Sequence, residues 1–129
     1  MRITKKEIEN VSRLAPFDRY QYTIKKIADF EQLWSITDEN GDYALSDVDS
    51  QTFVSIWPAR EYITSNLSNG WKNCEPKRLT LDEFSNQLLT FILDNEYLIN
   101  VLPVDGKSGF VVSLEELIRD LNNELENYR

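Results

Sequence analysis

Apolar residues recur along this chain in two rhythms, and each change of rhythm is marked by a polar turn or a helix cap. Near the N-terminus, Thr4 and Glu7 have the spacing of a capping box. Ile3 and Ile8 stand where a hydrophobic staple would clamp the helix start. Pro16 opens a second helix at a first-turn position, and Phe17, Tyr20, Ile24, Ile27 and Ala28 form its apolar stripe. From Leu33 the period shortens. Residues 33–37 and 43–45 flank Asp38-Glu39-Asn40-Gly41-Asp42, where Asn-Gly favours a tight hairpin because both residues tolerate positive φ. Residues 52–57 read as a third strand, which predicts a three-stranded antiparallel meander.

Pro58 predicts a helix to about residue 69, with Tyr62, Ile63 and Leu67 facing inward and Gly70 as its stop. Residues 71–79 read as a loop. Thr80 and Glu83 make a second capping box, followed by Leu81, Phe84, Leu88, Phe91 and Ile92 on one helical face. Residues 97–102 and 110–112 predict a second hairpin around 103–109. Ser113 and Glu116 make a third capping box, and Leu114, Leu117, Ile118, Leu121, Leu125 and Tyr128 line the helix after it. The expected order is ααβββααββα. This is a single α+β domain over residues 1–129, in which the meander and the second hairpin form a sheet packed by helices.

Composition narrows the chemistry. The 129 residues are 41% hydrophobic and 28% charged, the balance of one globular domain. There is no histidine and one cysteine, Cys74. No Ser-His-Asp or Cys-His pair can be built, and a zinc site lacks its usual ligands. No cofactor or metal is expected, and Cys74 reads as an incidental thiol. The first residues carry charge rather than an apolar signal, and no apolar run reaches membrane-spanning length, so a cytoplasmic location is expected.

Three patterns resemble functional motifs and fail on their details. Gly106-Lys107-Ser108 looks like the end of a phosphate-binding loop, but Val101 stands where that loop needs glycine. Asp38, Asn40 and Asp42 have the opening spacing of a calcium loop, but Tyr43 occupies its glycine position. The carboxylate pairs Asp82-Glu83 and Glu115-Glu116 fall in helix first turns, where they complement the dipole.

Two features remain. The first is the corner Trp57-Pro58-Ala59-Arg60-Glu61-Tyr62, where Trp57, Trp34, Trp71 and Arg60 are candidates for an aromatic ligand pocket with a polar pair. The second is the distribution of charge. The net charge is −8, yet residues 27–59 alone hold seven acidic residues and no Lys or Arg. Asp38, Glu39, Asp42, Asp47 and Asp49 of that stretch are the candidate partner-binding residues. Nucleic acid and anionic membranes are disfavoured by this balance, whereas a basic protein is attracted.

The residues also carry a family resemblance. Arg19-Tyr20-Gln21-Tyr22, Leu33-Trp34-Ser35-Ile36 and the Trp-Pro corner are joined by Trp71, residues 79–84, Val101-Leu102-Pro103 and Val111-Val112-Ser113. Together they resemble the bacterial domain of unknown function 2750 over about residues 17–128. A weaker similarity links the element order to the N-terminal domain of type III secretion regulators of the enhanced-serine-sensitivity kind. Neither resemblance implies catalytic residues. The expectation is therefore a non-enzymatic protein-binding module, of the kind that serves as an immunity protein against a basic, nuclease-like toxin. The alternative is a small-ligand-binding or regulatory domain using the tryptophan corner.

Overall fold

The computed structural model describes residues 3–64, 71–104 and 106–127. Thr4 caps α1 (Lys5–Ser12) by accepting the Glu7 N–H at 3.1 Å. The expected reciprocal bond is replaced: the Glu7 carboxylate turns away from the cap and accepts from the Tyr22 hydroxyl. Ile3 is buried and Ile8 packs against the core, as a staple requires. Pro16 opens α2 (Pro16–Phe30), which buries Tyr20, Ile24, Ile27 and Ala28. Phe17, expected on that stripe, is instead 49% exposed.

The α+β class holds, but the strand pairing departs from a meander. β1 (Gln32–Thr37) pairs along its whole length, antiparallel, with β4 (Glu75–Thr80). The sequence predicts a loop over residues 71–79, where Pro76, Lys77 and Arg78 break any apolar alternation. A strand of a two-stranded sheet tolerates that proline and those charges, since part of its backbone needs no ladder partner. The hairpin expected between β1 and the next strand shrinks to one bridge, Thr37 with Tyr43.

The second sheet has the order β2 (Leu45–Val48), β3 (Gln51–Ile56), β5 (Leu98–Val101), β6 (Phe110–Val112). β2–β3 and β5–β6 are the antiparallel hairpins, and β3 runs parallel to β5. The second hairpin is thus confirmed, and it joins the first through a parallel contact. Register sets Val54 beside Ile99 and Ile99 beside Val112, all buried, so one row spans three strands of the core. The β2–β3 turn is Asp49-Ser50, both at positive φ, as a two-residue hairpin loop demands.

Between the sheets, α3 (Arg60–Thr64) buries Tyr62 and Ile63. Leu67 and Gly70, assigned above to this helix and its stop, lie outside the described residues, as do Asp105 and Tyr128. Thr80 and Glu83 form the expected capping box at α4 (Leu81–Glu83). A π-helical turn (Phe84–Leu88) then leads into α5 (Leu89–Asn95). Ser113 and Glu116 cap α6 (Leu114–Glu126), which buries Leu117 and Leu121.

Backbone N–H donors at the two caps hold the Glu83 and Glu116 carboxyls below the ordinary Glu value of 4.5. A folded-state pKa below the unfolded one stabilises the protein above that value and is lost as pH falls through the folded pKa. The thermal midpoint should therefore drop on acidification below about pH 4.5. The double variant E83Q/E116Q should start lower and drop less over the same range in a thermal melt.

One glycine is fixed by close approach. A Cβ on Gly109 would stand 2.0 Å from the Val101 carbonyl oxygen, and the Gly109 N–H donates to Asn100 Oδ1 at 2.8 Å. Gly109→Ala should cost about 1–3 kcal/mol in denaturant unfolding, because the β5–β6 backbone must shift to admit one methyl group.

Candidate functional site

The candidate acidic residues fall in the turn closed by the Thr37–Tyr43 bridge, on β2, the outer strand of the four-stranded sheet, and in the turn after it. Glu39 and Asp42 lie in the turn before β2, Asp47 lies on β2, and Asp49 is in the turn after it. All four are exposed, while Asp38 is half-buried. Their roles differ. Asp38 Oδ1 accepts from the N–H groups of Asn40 at 2.9 Å and Asp42 at 3.1 Å, so this carboxylate shapes its own turn. Asp47 Oδ1 accepts from the Thr52 hydroxyl at 2.6 Å across the hairpin. Glu39, Asp42 and Asp49 remain as carboxylates facing solvent. Among the described residues, none of the five forms an ion pair.

The same strand exposes apolar surface, with Val48 at 56% and Leu45 at 37%. β2 therefore combines two part-exposed aliphatic side chains with an unpaired backbone edge, and Asp42 and Asp49 flank it in the chain. Sequence pattern locates the acids but not this apolar surface: Leu45 reads as the end of a meander strand and Val48 falls in the polar turn after it. Cys74 stands near the first acidic turn. Burial, together with the charges of Asp38 and Glu39, pushes its thiol pKa up, which disfavours the thiolate.

The tryptophan corner separates into two parts. Trp57 is 1% exposed and belongs to the core. Its backbone exchanges two 2.9 Å hydrogen bonds with Trp34, and its Nε1–H donates to the Pro103 carbonyl at 2.9 Å. Trp71 is half-buried and packs edge-on against Trp57, with ring centroids 5.5 Å apart. Neither lines the cleft beside Arg60. Trp34 does: with Phe30, Gln32, Pro58, Ala59, Arg60 and Glu61 it borders a cleft of about 330 Å³. The expected four-residue pocket is reduced to Trp34 and Arg60, because Trp57 is spent on holding strands together.

Two polar networks, one buried and one part-buried, were missed by sequence pattern. Arg19 is 2% exposed. Its guanidinium donates to the carbonyls of Leu102 at 3.2 Å, Leu14 at 2.7 Å and Ser108 at 2.8 Å. Burial lowers its pKa from the ordinary arginine value of 12.5. The only signal available was a basic residue at a position that its helix should bury. In the second network the Tyr22 hydroxyl donates to Glu7 and meets the Tyr62 hydroxyl at 2.8 Å, with Lys26 Nζ 3.6 Å from Glu7. Burial pushes the Tyr62 hydroxyl up to about 12 and raises that of Tyr22 further. These hydroxyls stay protonated near neutrality and tie α1, α2 and α3 together.

Arg19, Trp57, Leu102 and Pro103 all belong to the sequence pattern quoted above, and they meet at one junction. Its specificity is that of a folding motif. The fold and this junction define an α+β domain of a recurring type. Residues 20–121 match the family described as protein of unknown function, DUF2750, and the chain belongs to that family. A comparison with curated proteins finds no match. Among solved structures, one similar chain is Anabaena Tic22, described under protein transport. It is 17% identical, with 66% of this chain and 47% of that chain covered and a TM-score of 0.40. Among the described residues, no helix is long and apolar enough to cross a membrane.

Proposed function

We propose that this protein is a cytoplasmic binding module without catalysis, which docks a basic protein on its β2 edge. A basic toxin domain, neutralised by an immunity protein, is the partner chemistry that fits best. The observation carrying this reading is that Glu39, Asp42 and Asp49 are exposed and form no ion pair among the described residues, beside an unpaired strand edge. Such an arrangement steers a basic partner by charge and then holds it by apolar and backbone contacts.

The test uses the triple variant E39Q/D42N/D49N. Asp38 and Asp47 are left intact because they hold their turns. Asn at position 49 suits a positive φ, so the variant should melt within a degree or two of the wild type. Its affinity for a basic partner recovered from the source organism should fall about tenfold, at roughly 0.5 kcal/mol per exposed charge. Unchanged affinity would refute the docking surface.

A second reading rests on the cleft beside Arg60. Arg60 is exposed and forms no ion pair among the described residues, and Trp34 offers part of its ring to the same space. A planar anionic metabolite binding there would raise the thermal midpoint. The rise should vanish in Trp34→Ala and in Arg60→Ala.

A further inference from the structure

A groove away from the β2 edge is apolar along its floor and acidic along its rim. It has a volume of about 560 Å³ and runs between α5, the start of β5 and the first turns of α6. Leu93, Leu98, Leu114 and Ile118 supply apolar walls, and Leu93 is 61% exposed. Among the described residues, the charged ones lining it are Glu96 and Glu115, both exposed. Glu116, one residue on, is spent on the α6 capping box, whereas neither Glu96 nor Glu115 forms an ion pair among the described residues.

We propose that this groove binds an amphipathic helical segment of a partner, with leucine-sized anchors on one face and Lys or Arg flanking them. The apolar floor provides the burial that a helix-in-groove contact needs, with anchors at i, i+3 or i+4 and i+7. The two carboxylates select the flanks: a basic residue beside each anchor gains an attraction, and an acidic one is repelled. The same charges exclude two other occupants. A second copy docking by the same face would set Glu96 and Glu115 against their own kind across a low-dielectric contact. An anionic lipid surface would be repelled by the rim. This site is independent of the β2 edge, and either can fail alone.

The experiment selects a display library of helical peptides, randomised at anchor and flank positions, on the immobilised full chain. The Leu93→Asp variant serves as counter-bait. Leu93 is largely exposed, so that variant should keep the wild-type melting curve. The expected result is enrichment of peptides with three aliphatic anchors at helical spacing and basic flanks. A synthetic peptide of the enriched sequence should bind in fluorescence anisotropy, weaken at least tenfold with L93D, and weaken about threefold with E96Q/E115Q. Amide shifts in the wild-type chain should cluster at residues 89–98 and 113–118. No enrichment over the L93D bait would overturn the proposal. So would enrichment of acidic flanks, shifts elsewhere on the chain, or a wild-type dimer that L93D dissociates.

Discussion

Replacing Arg19 by Ala should destabilise the protein by about 3–5 kcal/mol, a large part of the stability of an ordinary domain. The guanidinium ties α2 to two connections: that between α1 and α2 through Leu14, and that between β5 and β6 through Leu102 at its start and Ser108 near its end. Ala would leave those three carbonyls without a donor and open a cavity beneath α2. Lys should fare little better, at about 2 kcal/mol or more, because one ammonium cannot reach three carbonyls set around a planar fork. Arg19→Met separates the contributions of stem and head, since it keeps the length and removes every donor. Urea unfolding of the three variants should rank them Lys, then Met, then Ala in falling midpoint. A Met variant equal to the wild type would show that only the hydrocarbon stem matters.

Trp57→Ala should cost a similar amount, about 3–5 kcal/mol, through the loss of a large buried side chain. Trp57 stands at the end of β3. It bridges to β1 through Trp34, donates to Pro103, and presents its ring to the edge of Trp71. Trp57→Phe retains most of the bulk but strands the Pro103 carbonyl, so about 1–2 kcal/mol should be lost. The near-ultraviolet circular dichroism of Trp71 should weaken in both variants. A Trp57→Phe protein as stable as the wild type would mean that the indole hydrogen bond contributes nothing. Both predictions say that the Trp-Pro corner and Arg19 are parts of one structural joint at residues 102–103.

Helices were the most legible part of the chain. Capping residues act locally, so Thr80 with Glu83 and Ser113 with Glu116 could be read from spacing alone. Glu7 shows the limit, because a tyrosine far along the chain outbid the cap for its carboxylate. Strands were visible where β-branched and aromatic residues cluster, as in β3 and β5. β4 was invisible because Pro76, Lys77 and Arg78 carry no such pattern, and its strand character comes from pairing with β1. The parallel contact of β3 with β5 joins residues far apart in sequence, which no local periodicity encodes.

The candidate sites were legible in kind and not in geometry. Charge counting found the acidic stretch, and the structure divided its five candidate residues into two whose carboxylates accept local hydrogen bonds, Asp38 and Asp47, and three that face solvent without one. Aromatic content marked the tryptophan corner, but burial of Trp57 removed it from any open cleft. The apolar groove at Leu93 was hidden because its walls come from separate elements, each of which alone looks like ordinary core.

The central claim is that exposed carboxylates in the turns on either side of β2 capture a basic protein. Its most direct test is the association rate of the wild-type chain and of E39Q/D42N/D49N with the basic partner recovered from the source organism, at low and at high salt. Charge-steered association falls steeply with ionic strength. The wild type should lose about tenfold or more in rate between the two conditions, and the triple variant should begin near the high-salt rate and change little. Equal rates and equal salt dependence for the two proteins would contradict the claim.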